Sequence, residues 1–150
     1  MIDSVNKKVF IIWLITLIAS IIYYDLTFGI TLIILTFVAF IQNMFFTWVS
    51  RSRNSGNPMH HRTSAWGSNG IWALTQAMIA SGIYTPITNM INAGNIELSG
   101  VVRILITIFI YALATTEGSV FMMKINLGKI KVPKIFNFLV ENADKRVGSK

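Results

Sequence analysis

The chain has no cysteine in its 150 residues. That excludes disulfides, thiolate metal sites and cysteine nucleophiles. Charge is also scarce: Asp, Glu, Lys and Arg make up 13% of the sequence, against about 25% in soluble domains. Carboxylates are the scarcer sign, with 6 acidic residues against 13 basic ones and a net charge of +7. In a soluble chain this excess would point to nucleic acid. Here the basic residues flank apolar runs, so no nucleic-acid partner is expected and orientation in a bilayer explains them better. No catalytic set is visible either. There is no Ser/His/Asp arrangement, no glycine-rich phosphate loop in a βαβ setting and no pair of intramembrane carboxylates. The sequence reads as a non-enzyme without a cofactor.

What the chain does have is apolar length. Hydrophobic residues make up 53% of it, and the mean hydropathy is +0.60. A spanning helix needs about 20 mostly apolar residues, and four segments qualify, over about 9–24, 28–49, 65–91 and 98–123. Lys7 and Lys8 before the first run resemble the start of a signal peptide, but Tyr23, Tyr24 and Asp25 stand where a small-x-small cleavage site would be. Lys7, Lys8, Arg51, Arg53, Arg62 and the lysines from Lys124 onward fall on one side of a four-span chain. The positive-inside rule then puts both termini in the cytoplasm. The expected fold is an all-α integral membrane protein, with a four-helix domain over 1–132 and a basic tail over 133–150. In that tail Ile135, Phe138, Leu139 and Ala143 recur at helical spacing, as in an amphipathic interfacial helix. No internal repeat is present.

The polar residues inside the spans are the first site candidates. At about 100° per residue, Arg103, Thr107, Ile110, Ala114, Glu117, Phe121 and Lys124 share a sector of the fourth helix. Ala65, Asn69, Ala73, Gln76, Ala80 and Ile83 share one on the third, and Gly29, Thr36, Asn43 and Thr47 align on the second. Counting residues from the basic end places Asn43, Asn69 and Glu117 at one level, with Gln76 deeper. Arg103 lies about 21 Å from Glu117 along the helix, within reach of the outer interface or Glu97. Small and amide residues bind helices together, whereas an ionisable group within a span is a functional candidate by default. Asn43, Asn69, Gln76, Arg103, Thr107 and Glu117 are therefore the pore-lining or intramembrane candidates.

The stretch "WVSRSRNSGNPMHHRTSAWGSNGIW" between the second and third runs supplies the rest. Arg51, Arg53 and Arg62 suit interface anchoring or phosphate binding, for which lipid headgroups are the nearest source. Thr63 or Ser64 is placed to cap the third helix. His60 and His61 are adjacent, so they do not converge as an i, i+4 pair does, and only Glu117 offers a third ligand. No metal site is expected. Arg51, Arg53, His60, His61 and Arg62 are the loop or headgroup-binding candidates.

The motif formed by Arg51, Arg53, Asn54, Ser55 and Gly56, a histidine at 60 or 61, then Ser68, Asn69, Gly70, Trp72 and Gln76 resembles a family of small phage membrane proteins classed as holins. The match covers mainly residues 50–76, with general four-helix agreement elsewhere. The resemblance implies a homo-oligomer in the bacterial inner membrane whose lesions release an endolysin and lyse the host. Two other readings fit the residues: a small oligomeric ion channel or transporter with a polar vestibule at the cytoplasmic side, and a protein that binds another membrane protein through the 50–63 loop.

Overall fold

Local chemistry sets three of the helix boundaries. A computed structural model describes residues 7–53 and 58–127, which form four helices with no strand among the described residues: α1 (Lys7–Tyr23), α2 (Leu26–Ser52), α3 (Pro58–Ala93) and α4 (Leu98–Asn126). Asp25 is extended, and its carboxylate accepts the Phe28 N–H at 2.7 Å, capping α2. Pro58 opens α3 at the position where a missing N–H costs nothing. Gly94 ends α3 in a left-handed conformation at φ +67°, one that a side chain would disfavour.

The helices run up and down in turn. Tyr24 reaches Ser99, Asn43 reaches Thr115 and Thr47 reaches Ser119, so α2 and α4 are parallel. Trp13 meets Thr36, and Ile21 meets Gly29, so α1 is antiparallel to α2. Gly67 lies at Phe45, Gly82 at Thr107 and Gly100 at Met90, so α3 runs antiparallel to both α2 and α4.

The seams follow from residue spacing. On α2, Phe28, Leu32, Leu35, Ala39, Gln42 and Val49 are buried at alternating steps of three, four and seven. On α4 the buried line is Thr107, Ile110, Ala114, Gly118, Met122 and Ile125. Gly118 decides where α2 and α4 touch, because a Cβ there would run into the Phe40 carbonyl. Close backbone approach at a small residue is how helices gain contact where the hydrophobic effect gives no drive. The α3 seam is polar and small instead: Ser64, Ser68, Thr75, Gly82 and Pro86. Pro86 has no N–H to give the Gly82 carbonyl one turn back.

α2 and α4 are each long and apolar enough to cross a membrane. α1 is also apolar, but its 17 residues extend only about 25 Å. Its outer side exposes Ile11, Ile12, Leu14, Ile15, Ile18 and Ile22. The segment over 50–63, read from sequence as a link, is helical wherever it is described. α2 continues to Ser52, and His60, His61 and Arg62 occupy the first turns of α3. Thr63 and Ser64 therefore do not cap α3; their hydroxyls donate to the Met59 and His61 carbonyls inside it. The amphipathic tail over 133–150 lies outside the described residues.

Candidate functional site

Where α2 ends and α3 begins, buried polar side chains lock the two helices together. The Trp48 indole N–H donates to His60 Nε2 at 2.6 Å. Ser52 Oγ lies 3.0 Å from His61 Nδ1 and 2.9 Å from Ser64 Oγ. Ser52 and Ser64 are fully buried, so this bonding offsets the cost of removing them from water. Because His60 Nε2 accepts a hydrogen bond, its imidazole is neutral in this arrangement. Burial and, after it, the neighbouring His61 hold its pKa below the ordinary 6.5. The two adjacent histidines point to different partners and do not form a pair. Among the described residues no three His, Asp or Glu side chains gather as metal ligands.

The polar candidates within the helices separate into four environments. Asn43 donates its amide to the Thr115 carbonyl, and Thr47 bonds Ser119 at 2.9 Å, so this stripe ties α2 to α4. Thr107 is buried, bonds the Arg103 carbonyl at 2.9 Å and packs against Gly82. The Arg103 guanidinium lies 4.5 Å above the Phe28 ring, and its Nε is buried without a hydrogen-bond partner among the described residues. It thus meets an aromatic face rather than Glu97. Glu117 is half-buried in a groove with Phe10, Trp13, Thr36 and Phe40, between α1, α2 and α4. Asn69 lies in another cleft, on the α2–α3 side. Asn43, Asn69 and Glu117 therefore do not form one site.

Asn69 and Gln76 are both exposed, on a side of α3 that also exposes Gly70, Ala73, Ala77 and Ala80. Among the described residues nothing lies within 4 Å of the place where a Cβ on Gly70 would stand. The amide stripe is therefore real as a surface but does not face the bundle core. Arg51 is half-buried in the last turn of α2, while Arg53 and Arg62 are exposed. Arg53 and His61 line a cleft of about 360 Å³ with Phe46, Val49, Ser68 and Asn69.

Sequence reasoning missed the buried small polar residues. Ser52 and Ser64 hold the helix ends together, and Ser68 and Thr75 continue the α3 seam. Their 64, 68, 75, 82 spacing, with steps of four and seven, is the signal in the sequence that marks this seam. Gln42 also escaped notice, although it is buried with its Oε1 lacking a partner.

No protein-family model matches the chain, and no curated protein or solved structure is significantly similar to it.

Proposed function

We propose that the chain is a four-span membrane protein, with both termini cytoplasmic, whose copies meet through the open face of α3 and permeabilise a bacterial inner membrane in the manner of a holin. The observation that carries this is the placement of Gln76 and Asn69. Both amides stay outside the four-helix bundle, flanked by Gly70, Ala73, Ala77 and Ala80. In hydrocarbon an unsatisfied polar group costs several kcal/mol, so this face favours a partner helix or water. Another copy supplies matching amide donors and acceptors together with the small residues that let helices approach.

The crossing number has separate support. α3 packs antiparallel along α2 and α4, which supports a third crossing beside theirs. α1 extends about 25 Å beside a hydrocarbon core of about 30 Å, and its flanking Lys7, Lys8 and Asp25 carry its polar ends toward the two interfaces. The basic residues at the starts of α1 and α3 and the ends of α2 and α4 then share one side.

The test is expression of the chain alone in a bacterium with a folded reporter protein in its cytoplasm. A lesion-former stops respiration abruptly after a delay and releases the reporter. Ion leakage with the reporter retained would replace this reading with a small channel, and intact membranes at high expression would reject both.

A further inference from the structure

We propose that the cleft between the end of α2 and the start of α3 binds an anionic glycerophospholipid, with its phosphate at Arg53 and His61 and its hydrocarbon against Phe46 and Val49. The proposal rests on the membrane reading above and gives one surface of that protein a specific ligand.

The cleft measures about 360 Å³, within the 300–1,000 Å³ range typical of ligand sites. Its lining is ordered by depth. The helices are antiparallel, so Arg53, just past the end of α2, lies at the level of His61 on α3, and Phe46 lies near Asn69. Phe46 to Arg53 spans seven residues, or about 10 Å along the helix. One end thus holds a guanidinium and an imidazole, and the other an aromatic ring, a valine and an amide. Among the described residues no carboxylate lines the cleft.

That order matches the polarity of a glycerophospholipid: phosphate, then ester carbonyls, then acyl chain. Arg53 offers a planar fork suited to phosphate oxygens. Ser50, three residues before Arg53, offers a hydroxyl near the depth of the esters, while Ser68 and Asn69 lie level with Phe46. His61 is held in place by its bond to Ser52, at 3.0 Å. The position along the bundle agrees as well. α2 has 27 residues and α3 has 36, so they extend about 40 and 54 Å. Both exceed a hydrocarbon core of about 30 Å, which leaves their joined ends among headgroups. An excess of basic residues at this end adds attraction for anionic lipid.

The test uses the full chain purified in detergent, titrated with phosphatidylglycerol and read by native mass spectrometry. Glycerol phosphate is the soluble probe. Phosphatidylglycerol adducts should form on wild type and weaken about ten- to a hundredfold in Arg53→Gln, the range expected for a lost charge-assisted hydrogen bond. Arg53→Lys should fall between the two, and Arg62→Gln, which changes an exposed residue outside the cleft, should bind like wild type. Equal losses in the Arg53 and Arg62 variants would reduce the effect to general surface charge and overturn the proposal. Glycerol phosphate binding as tightly as the lipid would overturn it in favour of a free-phosphate site. Fractionation with membranes and dependence on detergent are read from the same preparation. A chain that meets both yet binds lipid no better than Arg53→Gln loses the cleft but keeps the membrane reading; one that is soluble without detergent loses both.

Discussion

Single residues carry much of this architecture, and four of them make separable predictions. Gly118→Ala places a methyl group against the Phe40 carbonyl and should destabilise the α2–α4 pair by about 1–3 kcal/mol, as overpacking does. Gly70→Ala, with open space around it, should be neutral or stabilise by up to about 1 kcal/mol. Thermal unfolding of both variants in one detergent measures the difference, and equal effects would contradict the packing described. His60 gives a pH dependence. Its folded pKa is depressed below 6.5, so its contribution is complete above that value and is lost as acid protonates Nε2 and displaces the Trp48 N–H. Wild type should therefore lose stability between pH 7 and pH 5 faster than His60→Gln, which cannot titrate. Parallel curves would show that His60 is not the group responsible. Glu117 forms no hydrogen bond or ion pair among the described residues. Glu117→Gln should thus leave the stability unchanged within about 0.5 kcal/mol, so that any change it causes in permeability reports on function.

At the scale of helices, apolar run length made the number and order of elements legible, while the ends were harder to read. Arg51, His60 and Arg62 look like link residues because they are polar. Yet Trp48, Ser52, His60 and Ser64 bond across the two helices, and this tertiary network lets α2 and α3 continue past the apolar runs. The faces were legible only in part. Thr107, Ile110 and Ala114 share the buried side of α4 as their spacing predicts, but the seam then steps by four to Gly118 and Met122. Glu117 is left on the flank. A four-residue step follows the natural helical drift, and the close approach at Gly118 fixes it. On α3, the larger amides suggested the inner face, whereas steric fit put serine, threonine and glycine there instead. The four-crossing arrangement is tested by reporter fusions at the C-terminus and within residues 92–97. The account expects a cytoplasmic signal from the first and an external signal from the second; a C-terminal reporter active only outside the cell would reject it.

For the whole molecule, the central claim is that copies meet at the open face of α3 and not at the polar residues inside the bundle. Ala73 is exposed on that face, while Ala114 is buried between helices. The chain has no cysteine of its own, so a single introduced thiol reports cleanly on its surroundings. The most direct measurement is oxidative crosslinking in native membranes of Ala73→Cys and Ala114→Cys, separated without reductant. The account predicts a covalent dimer from the first and monomer from the second. Monomer from Ala73→Cys at every expression level, or an equal dimer from Ala114→Cys, would contradict it.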